Sequence, residues 1–453
     1  MDRIILSLSS QRTYRLLVLG FLGVALAVTG GASRFDETQQ MLARLGALAV
    51  ILATLWPVDF ETLRRHGRLL GGLLLLYALI AAQLVPLPPQ MWASLPGHGP
   101  YAQIAAGTNA WVWRPFSLTP DRTLNALLAL LPMSAALLAS LYLDARGRQR
   151  VGWGIVAIAG VSALLGLVQL SGGGTSLHLY RESSLDSPVG LFANRNHQAV
   201  LLACALPYIG ALSGIRLRDG ANRVLLVGMP ALVGLILLAL VSTGSRMGLA
   251  LAMLGLVTAF WCFRSSGYRM PRGRRRASVR AAIAGVVLIL LAAVALAAIH
   301  GGAIERLTAT DRLSETRAAI FAPLVETARA FFPLGAGYGS FENVYRQFEP
   351  NSLLSTIYMN QAHNEPLQLA IEGGVPALIL LLLFLAWWAQ AAWRIAVPAE
   401  PGRRRAIARA AFSATVMLML SSLVDYPLRT PLLSALFAVA CVEMLKTGRE
   451  PVA

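Results

Sequence analysis

Residues 366–393 read PLQLAIEGGVPALILLLLFLAWWAQAAW, with Glu372 as the one charged side chain in 28 positions. About 20 predominantly apolar residues suffice for an α-helix to cross the hydrocarbon core of a bilayer. The stretch therefore predicts a membrane helix, and it has many companions. Apolar runs fall at roughly 16–33, 43–58, 69–85, 123–143, 151–171, 197–215, 224–243, 247–263, 281–299, 366–393, 410–425 and 432–446. Across the 453 residues, hydrophobic types make up 56% and charged types 13%, with a mean hydropathy of +0.61. Soluble domains carry about 25% charged residues. These values exclude a soluble enzyme, a secreted disulfide scaffold and a disordered tail. They predict an all-α polytopic membrane protein of about twelve spans, a single integral membrane domain over 1–453. The first apolar run is followed closely by a second, so it reads as a retained helix and not a cleaved signal.

The formal charge of +17 would suggest nucleic acid in a soluble chain. Here its placement assigns it to topology. With the N-terminus in the cytoplasm, 26 of the 39 basic residues lie in short inner segments. Such an excess marks the cytoplasmic face, which predicts both termini inside. Cys204, Cys262 and Cys441 lie in or at the ends of apolar runs without metal-ligand spacing, and read as small core residues. Three outer segments are long: 86–122, 172–196 and 300–365. The last is the largest, a partly helical loop between the ninth and tenth runs. Charged residues lie near the ends of runs or in loops, which argues against an ion-coupled transporter.

Three outer-face sites place polar or basic residues where a membrane helix begins, the end at which unpaired N–H groups and the helix dipole favour anions. They are Phe192-Ala193-Asn194-Arg195-Asn196-His197, Thr243-Gly244-Ser245-Arg246 and Gln361-Ala362-His363-Asn364-Glu365-Pro366. Asn364 suits an N-cap and Pro366 a first turn. His363 then sits just above the helix start, where a positive helix end keeps imidazole neutral and fit to act as a base. A fourth site lies in the large loop. Leu313, Ile320, Phe321, Leu324, Val325, Ala328, Phe331 and Phe332 recur at helical spacing. They cover an arc of about 140°, with Arg317 near its centre and Pro323 as a break point. An Arg on a buried face needs a carboxylate, with Glu342 and Glu365 as candidates, or a bound anion. Arg195 and Arg246 read equally as interfacial anchors, and His197 as a cap or packing residue. Gly335, Gly337 and Gly339 lack the preceding strand of a dinucleotide loop and read as a close-packed turn. No cluster has metal-ligand spacing, so neither a metal nor a cofactor is expected.

At these residues the chain resembles the O-antigen ligase superfamily of bacterial membrane glycosyltransferases, which includes O-antigen and exopolysaccharide polymerases. The matching stretches are 116–120, 190–197, 242–246, 333–341 and 362–365, in that order, with Glu365 where the family usually has Asp. The resemblance implies a GT-C type helical fold in the bacterial inner membrane, working at the periplasmic face without metal. It implies an undecaprenyl-diphosphate-linked glycan donor and a hydroxyl acceptor. That acceptor is lipid A core for a ligase, in lipopolysaccharide maturation, or another lipid-linked glycan for a polymerase. It further implies that His363 is catalytic and that Arg246, Arg195 and Arg317 hold the diphosphate. Asn364, Tyr338, Asn194, Asn196 and His197 are candidates to position substrate. Direct attack by the acceptor hydroxyl would invert the anomeric carbon. A lipid-glycan flippase or other transporter, and a non-catalytic assembly partner, are the rival classes.

Overall fold

A computed structural model describes residues 8–34, 38–56, 59–108, 112–171, 177–181, 183–184, 187–220, 223–269, 312–354, 359–397 and 400–445. Twelve helices organise them. They are α1 (Leu8–Thr29), α2 (Thr38–Thr54), α3 (Gly67–Ala82), α4 (Pro120–Leu141), α5 (Ala145–Ser171) and α6 (Arg195–Arg218). The rest are α7 (Arg223–Ser242), α8 (Arg246–Ser265), α9 (Arg312–Ala330), α10 (Glu365–Ala396), α11 (Arg403–Ser422) and α12 (Pro431–Leu445). Eleven of the twelve apolar runs fall on helices, and the ninth, 281–299, lies outside the described residues. Among the described residues, five helices are long and apolar enough to cross a membrane: α4, α5, α6, α8 and α10. Strand is confined, among the described residues, to one two-residue antiparallel ladder, Pro86–Leu87 with Arg114–Pro115. The chain is an all-α membrane protein.

Helix α6 is the hub. It is apolar on every side and buried along most of its length, as expected of a helix enclosed by others. Its closest partner is α8. A Cβ added to Gly248 would lie 2.5 Å from that of Ala199, one on Gly255 would lie 2.8 Å from Leu206 Cδ1, and one on Gly214 would lie 2.8 Å from the Phe263 carbonyl oxygen. Gly210 likewise faces the backbone of Ala259. Each of these pairs is separated by 49 residues, so α6 and α8 run parallel with their starts at the same end. Small residues let their backbones approach, the usual way helices associate in lipid.

Helix α10 is broken. Gly374 has φ of +57° and ψ of −149°, so the expected continuous span 366–393 is two helical segments meeting at a bend. Gly373, Gly374 and Pro376 explain the break, since glycine tolerates this backbone and proline lacks an N–H. The orphaned peptide groups find partners in the Gly335–Gly339 loop. Ala336 N–H donates to Ile371 O (2.9 Å), Gly337 N–H to Glu372 O (2.9 Å), and Val375 N–H to Pro333 O (2.7 Å). Gly335, Gly337 and Gly339 all have positive φ. A Cβ on Gly335 would lie 2.6 Å from the Glu372 backbone. The Gly-x-Gly-x-Gly stretch is thus a docking turn. Gln83 ties it down, accepting from Tyr338 N–H (2.8 Å) and donating to Glu372 O (3.1 Å). Leu118 N–H donates to Ala336 O (3.1 Å), joining the 116–120 segment to the same layer.

Candidate functional site

Asn364 caps α10, its side chain accepting from Leu367 N–H at 2.9 Å. The same side chain donates to Leu423 O at 3.1 Å, holding the turn that follows α11. Glu365 holds that turn from its other side, accepting from Leu428 N–H at 3.0 Å. At the centre of the turn is Asp425, 2% exposed. His363 precedes the cap with φ of +49°, a left-handed conformation that is costly for a residue with a Cβ. Its Nδ1 lies 3.3 Å from Asp425 Oδ1. His197 Nε2 approaches the same oxygen at 3.7 Å, and Asn196 Nδ2 donates to Oδ2 at 2.6 Å. The Tyr426 ring packs against the edges of both imidazoles, with centroids 4.9 Å from His363 and 5.1 Å from His197. Burial opposes a charge on Asp425, and the two imidazoles outweigh it, holding its carboxyl well below the usual carboxylate range.

The arrangement has chemical direction. A carboxylate at Nδ1 favours the tautomer with its proton there, which leaves the Nε2 lone pair to accept a proton. The His363 side chain is 26% exposed against 3% for Asp425 and 1% for His197, so the cluster opens to solvent at His363. The sequence reading placed only a positive helix end beside His363. The structure adds a buried carboxylate 3.3 Å from its Nδ1.

The α6–α8 register sets the arginines. An offset of 49 puts Arg246 at the level of His197, about half a turn above the Gly248–Ala199 contact. Ser245 caps α8 by accepting from Gly248 N–H at 3.0 Å, and Arg246 is exposed at its first turn. Asn194 caps α6, accepting from Asn196 N–H at 2.8 Å, with Arg195 partly exposed beside it. The starts of α6, α8 and α10, far apart in sequence, therefore gather at one end of the bundle. Asn194 and Asn364 act there as caps, Asn196 holds Asp425, and His197 is a buried neighbour of the same carboxylate.

The large-loop helix α9 corrects the predicted arc. Ile320, Leu324 and Phe331 are buried, whereas Phe321 and Phe332 are 56% and 60% exposed. Pro323 and Thr327 join the buried face, and the helix continues through Pro323. That face spans about 100° and leaves the position of Arg317 at its rim, not its centre. The Arg317 side chain lies outside the described ones. Of the carboxylates considered for it, Glu342 meets Arg122 (3.3 Å) and Arg346 (3.1 Å). Tyr338 is buried beneath Gly373, its hydroxyl 2.8 Å from where a Cβ there would sit. Near it the fully buried Glu372 meets Arg429 at 3.0 Å. Glu372 lies before the break in α10, not in its longer membrane segment. Asp425, Tyr426 and Arg429 went unread in the sequence, where Val424-Asp425-Tyr426-Pro427 resembles any polar end of a membrane helix. Among the described residues, no group of three or more His, Cys, Asp or Glu could hold a metal ion.

No curated protein matches the chain. Residues 231–382, from α7 into α10, match the family model described as O-antigen ligase. That stretch contains Arg246, Arg317, Tyr338, His363 and Asn364. With these residues inside the matched region, that third of the chain is similar to the O-antigen ligase family.

Proposed function

We propose that the protein is a membrane glycosyltransferase that moves an undecaprenyl-diphosphate-linked oligo- or polysaccharide onto a hydroxyl acceptor. One observation carries the reading: the Asp425–His363 pair stands at the same end of the bundle as the arginine-bearing starts of α6 and α8. His363 Nε2 takes the acceptor proton as the acceptor oxygen bonds to the anomeric carbon. The bond from that carbon to the diphosphate breaks, and the lipid diphosphate departs with the electron pair. Attack opposite the leaving group inverts the anomeric carbon. Arg246, Arg195 and Arg317, with the helix dipoles, offset the charge developing on the diphosphate, so the step runs without metal. Arg suits this role because it stays ionised and grips phosphate oxygens in pairs. Tyr338 acts indirectly, by bracing the docking turn against α10.

In this reading the chain makes twelve spans of a GT-C type fold in the bacterial inner membrane. Both termini are cytoplasmic, and the His363 end and the 300–365 loop are periplasmic. Ligation to lipid A core is the preferred reaction. Polymerisation needs the same base and the same diphosphate clamp, and differs only in the acceptor.

Gel analysis of surface glycans from a deletion strain complemented with wild type or His363→Ala tests the proposal. The variant is expected at normal abundance and without product. Lipid-linked polymer accumulating, with lipid A core left bare, identifies the ligase. Accumulation of single repeat units identifies the polymerase. Wild-type product from His363→Ala overturns the catalytic assignment.

A further inference from the structure

At the end of the bundle opposite His363, the C-terminal end of α10 helps enclose a cavity of about 470 Å³. The segment of α10 beyond the Gly374 bend, roughly 30 Å of helix, lies between the two places. Segments remote in sequence build the cavity: the first turns of α1, the chain between α2 and α3, the junction of α4 and α5, and the last turns of α10 and α12. Five arginines line it, Arg15, Arg64, Arg65, Arg68 and Arg394, against one carboxylate, Asp144. Asp144 is already committed, accepting from Gly147 N–H at 2.7 Å. Arg65 reaches Glu61 at 2.6 Å, and the Arg15 guanidinium lies 4.4 Å over the Tyr142 ring. The remaining wall sets the polar side chains of Gln11, Thr62, His66 and Gln390 beside an apolar part that includes Leu69, Trp387 and Leu445.

Five guanidinium groups around one small space repel each other, and low-dielectric walls concentrate their field within it. An occupant with paired anionic oxygens relieves that repulsion and suits the planar fork of Arg. The leucine and tryptophan surface, at the level where membrane helices end, suits the start of an acyl chain. We infer that this cavity binds a phosphate-bearing anion, the headgroup of an anionic phospholipid, with the chains leaving along the apolar wall. The site is independent of glycosyl transfer and lies at the other end of the molecule.

The test uses the full chain, purified in neutral detergent and titrated with phosphatidylglycerol, with phosphatidylcholine or with inorganic phosphate. Binding is read by native mass spectrometry and by melting temperature. Phosphatidylglycerol is expected to bind and raise the melting temperature, and the other two are not. An arginine near an anionic surface contributes about a fivefold factor, so Arg64→Gln/Arg68→Gln/Arg394→Gln is expected to bind about a hundredfold more weakly. Arg146→Gln/Arg150→Gln, at the same end but outside the lining, is expected to bind as wild type does. Equal protection by inorganic phosphate would keep the anion site and overturn the lipid assignment. Equal binding of both phospholipids by the wild type, which needs no variant to fold, would overturn the site. So would a triple variant no weaker than the Arg146/Arg150 control.

Discussion

At the scale of single residues, the site turns on one oxygen. Asp425 Oδ1 faces both His363 and His197 while Oδ2 takes a hydrogen bond from Asn196. Replacing Asp425 by Asn keeps the shape and removes the charge that selects the His363 tautomer. The rate of transfer from a lipid-diphosphate donor by purified protein is expected to fall roughly 10²–10⁴-fold, the span that general-base catalysis usually covers. An unchanged rate would remove Asp425 from the proposed mechanism. Arg246→Lys keeps the charge and loses the paired grip on phosphate, so the same assay is expected to drop roughly 10- to 100-fold, the worth of one charge-assisted hydrogen bond. His363 and Arg246 were readable because a helix beginning with a polar run is a recognisable pattern. Asp425 was not, because an acidic residue after an apolar run is equally an ordinary interfacial ending. Only the approach of the α11–α12 turn to the start of α10 gives it a role.

At the scale of elements, the apolar runs were legible and their interruptions were not. A Gly-Gly-x-Pro sequence within 366–393 still reads as one long run, because hydropathy ignores backbone angles. The break at Gly374 depends on partners supplied by residues 333–337. Gly374→Ala would hold an unfavourable positive φ and set a Cβ 2.5 Å from the Leu334 carbonyl carbon. A loss of about 1–3 kcal/mol is expected from such overpacking, measured as a lower melting temperature in detergent. Gly210→Leu should act similarly by prising α6 from α8. Because α8 carries Arg246, that variant is expected to lose transfer activity in whatever fraction still folds. In α9 the periodicity was right and its phase was wrong. Bulky Phe321 pulled the calculated face toward itself, whereas Pro323 and Thr327 are the residues that meet the core.

At the scale of the whole molecule, the two ends of the bundle differ in character. One gathers three helix starts, two imidazoles and a buried carboxylate. The other gathers arginines and cross-links such as Arg403–Asp219 at 2.7 Å and the buried Arg148–Glu443 pair at 3.7 Å. On the sidedness proposed from the distribution of basic residues, the arginine-rich end is the cytoplasmic one. Thiol labelling can check it without background, because Cys204, Cys262 and Cys441 are all buried. An impermeant maleimide added to spheroplasts is expected to label Arg346→Cys and to reach Arg150→Cys only after lysis. The reverse pattern would invert the orientation. The broken α10 also bears on how such a molecule is made. Unpaired peptide groups in hydrocarbon cost several kcal/mol each, so a lone α10 entering the lipid is favoured as an unbroken rod. Its bend becomes stable only once the 333–337 backbone, which precedes it in the chain, has come to rest against it. Docking of residues 333–337 and the final placement of His363 are therefore a single event in biogenesis, and a chain that has inserted all its helices still lacks a finished site.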